Sequence, residues 1–460
     1  MNKEFNLLEC KIGKGIILMA IPVLIGMFFE LLYNVVDTFF ISLIDRNATV
    51  YLAGGGLVFP LFFMVFAFSQ GIASGAGTIA TIHLGERRKS EAEKTISIAL
   101  WLGIGFSLVI VFILIFFGEV ILRFLSGSEI SNEALECANI YLKGLLISIP
   151  FMFFNGIYFA AMNAQGKTKY SGLGMMFSNL LNLILDPIFI FTFKMGVFGA
   201  ALATSIAHVM VLFLCIIVNF RDHSLFTIRW KIKIHSGITR KLGQIMAIGI
   251  PQSLSFLILS FSFLFMNYFV SSVSEAAMNA YILVGRFYNI LITPIIAISI
   301  GMSALIGQNF GAGRYHRVKE AFNVGVRYSL IISIFCSIVL MSSGKLLFNG
   351  MSNLEEVRKF AFYQNLSTAF FVGVGSAFGV SAAFSFTAIG QPFQALISHA
   401  LRSVFIAPPL CILFFTIFGP DIRFVWVALS IGFFLGGIIS YLLANFKIAK
   451  LNSQIMSTNY

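Results

Sequence analysis

This 460-residue sequence predicts an all-α membrane protein of twelve transmembrane helices, arranged as two six-helix lobes. Three observations carry the prediction. The chain is 58% hydrophobic and 11% charged, with 53 phenylalanines, a composition that suits lipid-facing helices and not a soluble domain. Apolar runs long enough to cross a bilayer, each of roughly 20 residues or more, recur twelve times. The runs fall six and six around the longest polar stretch, and the halves share motifs in the same order.

In chain order the first six runs cover approximately 15–44, 52–82, 92–122, 137–163, 169–192 and 197–219. The polar connector RDHSLFTIRWKIKIHSGITRK follows at 221–241. Six more runs cover approximately 243–271, 277–308, 318–347, 358–389, 392–416 and 424–447. The expected domains are therefore an N-terminal lobe (1–220), a cytoplasmic linker (221–241) and a C-terminal lobe (242–460). The polar start MNKEFNLLECKIGKG leads straight into the first run without a cleavable signal pattern, so that helix is expected to remain.

Orientation follows from where lysine and arginine lie. With both termini cytoplasmic, the inner side holds 20 of the 31 basic residues and the outer side 8; Arg286, Arg327 and Arg402 fall within apolar runs. The net charge of +12 is thus mainly a topogenic signal in a cell-membrane protein, not a nucleic-acid footprint.

The halves repeat. Ala20-Ile21-Pro22 opens the first run and Gly249-Ile250-Pro251 the seventh, 229 residues later. The glycine-rich end of the second run, from Gly71, resembles that of the eighth, from Gly301, at an offset of 230. Ala164-Gln165-Gly166-Lys167 recurs as Ala388-Ile389-Gly390-Gln391, at 224. Repeats of six helices keep the same orientation, so the lobes relate by an axis along the membrane normal.

Intramembrane charge is distributed unevenly. The first six runs hold three acids, Glu30, Asp37 and Asp186, and no deep lysine or arginine. Such carboxylates are costly in lipid and must be neutralised by a proton, a metal cation or a cationic ligand. Glu30 and Asp37, seven residues apart, project from roughly one helix face, and Pro22 precedes them as a candidate kink. In Asn182-Leu-Ile-Leu-Asp186-Pro187 the two polar side chains are i and i+4 on one face, and Pro187 frees a carbonyl one turn back. Thr204 adds a hydroxyl. Asp37, Asn182, Asp186 and Thr204 together offer hard oxygens for Na⁺, or a carboxylate pair sharing a proton. In the second half Arg286 and Arg402 lie deep and are expected to bond backbone carbonyls or a water-filled cavity, while Arg327 is placed to snorkel.

Other chemistry has little support. The five cysteines are scattered without CxxC, and the six histidines show no HExxH or paired spacing. There is no GxSxG elbow or Walker loop, so neither a hydrolase nor an ATPase is indicated.

These residues resemble the multidrug and toxic compound extrusion (MATE) family over nearly the whole chain. The resemblance rests on the AIP start, LYNVVDTFF, the run beginning Gln70-Gly71, NLILDP, and GQNFGAGRYHRV. It implies a V-shaped pair of lobes enclosing a cavity, and an efflux antiporter, not an enzyme, driven by Na⁺ or H⁺ with no other cofactor. It also implies a coupling-ion site at Asp37, Asn182, Asp186 and Thr204, a first helix that bends at Pro22, and a cavity lined by Tyr33. Glu30 has no matching family position. Some members carry an acid in the seventh helix; this chain has Gln252, Ser253, Ser255 and Ser260 there instead. The expected cargo is a small organic, cationic and amphipathic compound, moved by a monomer in contact with membrane lipids. A lipid-linked-sugar flippase or an exporter of one dedicated metabolite is the alternative on the same fold.

Overall fold

The computed structural model describes residues 6–44, 50–126, 131–220, 237–351 and 354–456. The first half contains α1 (Ile12–Ser42), α2 (Val50–Gly85), α3 (Lys89–Ser126), α4 (Asn132–Leu145), α5 (Ser148–Ala164), α6 (Thr168–Pro187) and α7 (Gly196–Phe220). The second contains α8 (Ile238–Ser271), α9 (Glu275–Gly311), α10 (Tyr315–Met351), α11 (Glu355–Ala388), α12 (Pro392–Ala400), α13 (Ala407–Phe418) and α14 (Ile422–Met456). No strand occurs among the described residues. Eleven helical segments are long and apolar enough to span a bilayer, and α4 with α5, bent by 50° at their junction, makes the twelfth. This all-helical architecture is the one the sequence predicts. Residues 221–236 of the expected linker lie outside the described residues, and its last four, 238–241, form the first turn of α8.

Two spans are interrupted by π-helical turns, Ile188–Thr192 after α6 and Leu401–Ile406 between α12 and α13. Proline accounts for both. Pro187, Pro408 and Pro409, which border these turns, lack the N–H that would close the normal ladder, and after Pro187 the wider pairing is seen as Phe193 N→Ile188 O at 2.9 Å. By contrast α1 stays helical through Pro22.

The repeated motifs are helix ends. Gly166 and Gly390 have φ of 76° and 75°, and the chain turns back through Lys167 N→Met162 O at 2.9 Å and Gln391 N→Phe386 O at 2.8 Å. A six-to-one bond over a left-handed residue is the Schellman closure, which glycine adopts without strain. The ends of α2 and α9 close the same way at Arg87 and Gly313, through Arg88 N→His83 O and Arg314 N→Asn309 O, both 2.8 Å. That pairing sets the offset between α2 and α9 at 226, not 230, so Gly301 corresponds to Gly75 and not to Gly71. The sequence register was one helical turn off because both glycines lie on the same face and spacing alone does not choose between them.

Contacts divide the chain into two compact units. One comprises Met1–Ile21, Gly85–Arg87 and Leu254–Tyr460; the other comprises Pro22–Leu84 and Arg88–Ser253. They differ from the sequence halves because the first turns of α1 and α8 each pack with the other half. In the first unit Leu7, Ile12, Ile16 and Met19 share a core with Met302, Leu305 and Phe322. Arg317 Nη2 donates to Cys10 O and Arg314 Nη1 to Leu8 O, both at 2.8 Å. A Cβ on Gly301 would lie 2.8 Å from Ile16 O, so glycine lets α1 and α9 approach to backbone contact.

In the second unit the same relation recurs between α2 and α8, where a Cβ on Gly75 would collide with the Ile245 carbonyl. Lys241 Nζ holds Glu91 Oε2 at 2.8 Å there. Outside the membrane, Asp421 leads α14 by accepting from Arg423 N at 2.9 Å, and the Arg423 guanidinium beside it holds its carboxyl below the usual range.

The closures make a stability prediction. Gly390→Val forces a β-branched residue into the left-handed region and should lower stability by about 1–2 kcal/mol. Gly390→Asn, which tolerates that region, should lower it less. Thermal unfolding of the two variants in detergent checks the order.

Candidate ion-binding site

Three helices of one unit supply the predicted residues: α1 carries Pro22, Glu30, Tyr33 and Asp37, α6 carries Asn182 and Asp186, and α7 carries Thr204. Close packing brings α1 and α6 together, because Gly172 leaves no side chain between them; a Cβ there would collide with the Pro22 carbonyl. Asp186 is fully buried and Asn182 nearly so.

The structure assembles Asp37, Asn182, Asp186, Thr204 and Tyr33. The carboxyl groups of Asp37 and Asp186 lie close enough to interact with one another. Two neighbouring carboxylate anions repel, so the pair is favourable only when a proton or a cation lies with it. The Asn182 amide is satisfied when its nitrogen donates to Asp186 Oδ2 at 3.0 Å and its oxygen accepts from Thr204 Oγ1 at 3.0 Å. The opposite orientation would point a carbonyl at a carboxylate. Thr204 Oγ1 also lies 3.2 Å from Ala200 O and 3.5 Å from Tyr33 Oη.

Two oxygens are left over. Asp37 Oδ1 and Asp186 Oδ1 are buried without a hydrogen-bond partner among the described residues. Orphaned carboxylate oxygens inside an apolar bundle are costly unless something cationic or protic joins them. With the Asn182 and Thr204 oxygens they form a set of hard donors for Na⁺, and the paired carboxyls equally hold a proton. Among the described residues no group of three histidine, cysteine, aspartate or glutamate side chains converges, so the donor set does not suit a transition metal.

Other predicted residues stand apart. Glu30 is half-buried two turns before Asp37 on α1, and its side chain has no hydrogen bond or ion pair with a described residue. Pro22 lies fifteen residues before Asp37, about 22 Å along the helix, so its place is in packing against α6 and not in the cluster. Sequence reading missed Tyr141 on α4, whose hydroxyl interacts electrostatically with both Asp37 and Asp186. A tyrosine two residues before Lys143 near a helix end carried no motif to single it out.

The second half is different in kind. Arg402 is 4% exposed, and among the described residues no backbone carbonyl accepts from its side chain, so the first of its two expected partners is not seen. Its Nη2 lies 3.4 Å from His399 Nδ1, its carbon stacks 5.2 Å over the Phe433 ring, and its Nε is unpartnered. Arg286 and Arg327 are exposed.

Fold and site together define a polytopic helical membrane protein built from a duplicated six-helix unit, with paired buried carboxyls, among the described residues, in the first copy. The MatE family model matches residues 22–188 and 251–413, once in each repeat, and the chain belongs to that family. Multidrug export protein MepA of Staphylococcus aureus (strain MRSA252) is 26% identical over 407 residues, 87% of each chain. MepA of Staphylococcus haemolyticus is 27% identical over 337 residues, 73% of each. Among solved structures, a MOP superfamily transporter from Pyrococcus furiosus Vc1 has a TM-score of 0.91 at 24% identity, over 98% of this chain and 99% of that one. A MATE structure in the bent conformation gives 0.89 at 24% identity, over 99% of each chain. These structural matches are likenesses of fold.

The geometry makes Thr204 the link between Asn182 and Tyr33. Thr204→Val keeps the shape and removes the hydroxyl, leaving buried polar groups unsatisfied, and should destabilise by about 1–3 kcal/mol. Thr204→Ser restores the hydroxyl and should stay close to wild type. Unfolding midpoints of both purified variants check this.

Proposed function

We propose that the chain is a secondary active exporter that exchanges inward-moving Na⁺ or H⁺ for a small amphipathic organic cation across the cell membrane, as a monomer with both termini cytoplasmic. The observation that carries this reading is the Asp37–Asp186 pair, with two orphaned oxygens inside a shell of Asn182, Thr204 and Tyr33. A site so poor in compensation is stable when occupied and costly when empty, which is what coupling requires: ion release is unfavourable unless another cation takes up the charge. Family membership and the multidrug export relatives support the cargo class.

In this reading Asp37 and Asp186 bind the coupling ion, and Asn182 and Thr204 complete its oxygen shell. Because Asp37 is on α1 and the other three residues are on α6 and α7, occupancy changes the attraction between α1 and its neighbours. Pro22 supplies the joint at which α1 bends in response, since the ladder there lacks one hydrogen bond. Aromatic side chains, Tyr33 among them, give the cavity wall apolar and cation–π contact for cargo.

Purified protein in liposomes, with Na⁺ and pH gradients imposed separately, tests the coupling. Wild type should move a fluorescent organic cation against one of them without ATP. Asp37→Asn and Asp186→Asn should each cut gradient-driven transport by about tenfold or more, and the double variant should be little worse than either, as expected of residues acting as one unit. Wild-type transport rates in both single variants would sink the ion-site assignment.

A further inference from the structure

The exposed face of α9 carries polarity that its position in a membrane does not explain. Helix α9 packs through Ala277, Ala280, Val284, Leu291 and Ile295, which lie on one stripe and are all buried. At about 100° per residue, Asn279, Arg286 and Asn289 fall on the opposite side, and all three are exposed in the folded chain. Arg286 has no hydrogen bond or ion pair with a described residue.

Lipid is a poor neighbour for this stripe. Arg286 stands eleven residues from Glu275, the first residue of α9, about 16 Å along the axis and inside the apolar run at 277–308. An intramembrane arginine faces water or a polar ligand by preference, and two asparagines on the same line make an oily environment still less favourable. The fold does not require the polarity either. At the offset of 226 the same face of α2 carries Ala53, Pro60 and Phe63, with no polar side chain among them. The backbone is served equally well by an apolar stripe, so Asn279, Arg286 and Asn289 answer to something outside the helix.

We propose that Asn279, Arg286 and Asn289 form an anion-recognising face of the transport pathway, and that Arg286 determines whether a cargo molecule bearing a carboxylate is accepted. A guanidinium presents a planar fork of donors that matches a carboxylate bidentately, and the flanking amides on the same stripe add donors to its outer lone pairs. No described acid occupies that fork. The inference rests on the exporter reading and extends it: the acids of the first repeat handle the coupling cation, while this face of the second repeat handles the anionic end of zwitterionic cargo.

A matched pair of dyes separates the possibilities: a rhodamine with a free carboxylate and the methyl ester of the same dye, both tested with the full-length protein in liposomes. Wild type should transport both. Arg286→Gln should lower transport of the acid about tenfold (about 1.4 kcal/mol) and that of the ester by less than about twofold. Arg286→Lys, which keeps the charge without the fork, should fall between. Retained ester transport reports that the variant is folded; if Arg286→Gln does not accumulate, the Asn279→Ala/Asn289→Ala double variant takes its place, with the same selective loss expected. Wild type that moves the ester but not the acid, or variants that slow both dyes equally or neither, would overturn the role of Arg286 alone. Wild type that moves neither dye overturns the exporter reading and this inference with it.

Discussion

A polar group in the hydrocarbon core has no water to return to, and that constraint shapes every departure from apolar packing in this chain. Backbone groups meet it through helices, and where proline removes a donor the ladder widens into a π turn at Ile188–Thr192 and Leu401–Ile406. Side chains meet it by clustering. Asn182 joins Asp186 to Thr204, and Asp37 reaches the same point from α1. Among the buried polar atoms that the described residues leave without a partner, Asp37 Oδ1 and Asp186 Oδ1 are the carboxylate oxygens, and a carboxylate is the costliest of such groups to leave unpaired.

The same constraint explains how much was legible in the sequence. Spans were readable because crossing a bilayer takes an unbroken apolar run, and a charge within one is conspicuous; Asp37 and Asp186 stood out for that reason. Their partnership was readable because Asn182 and Asp186 share a helix face. Tyr141 was not readable: its relevance comes from packing with Ile41 of α1 and with Val197 and Ala200 of α7, a tertiary fact with no local signature. The register of α2 against α9 was misread for a related reason. Glycines spaced by one turn look alike in sequence, and only the carbonyl each one faces, Ile245 for Gly75 and Ile16 for Gly301, tells them apart.

Exchange of leading turns follows from those glycines. Gly75 and Gly301 sit at equivalent points of the two repeats, and each admits the backbone of the other repeat's first helix. The starts of both helices are then fixed by basic side chains, Arg314 and Arg317 on the carbonyls before α1 and Lys241 of α8 on Glu91 in the first turn of α3. The contact boundaries fall immediately before Pro22 and two residues after Pro251. Each leading helix therefore has its first turns anchored in one unit, its remainder in the other, and a proline, the weakest point of the ladder, at the change.

Duplication gave both repeats the same backbone, and comparison of equivalent positions shows where their chemistry parted. The offset is 229 at Pro22 and Pro251, 224 at Gly166 and Gly390, and 225 at Ser205 and Ser430, whose hydroxyls both bond a fourth-span carbonyl, Gly144 O at 2.8 Å and Ser367 O at 3.2 Å. Carried along these offsets, Asp37 corresponds to Met266, Asp186 to Leu410 and Thr204 to Leu429. All three belong to one apolar cluster around Cys411 and Trp426. A methionine and two leucines fill that place, so the first-repeat acids are not a demand of the fold, and in the exporter proposed above their burial cost is offset by the coupling ion. Arg286 stands in the reverse relation, a charge in the second repeat where the first has Pro60. One scaffold thus carries polar side chains of opposite charge in its two repeats, each where the equivalent position of the other repeat is apolar.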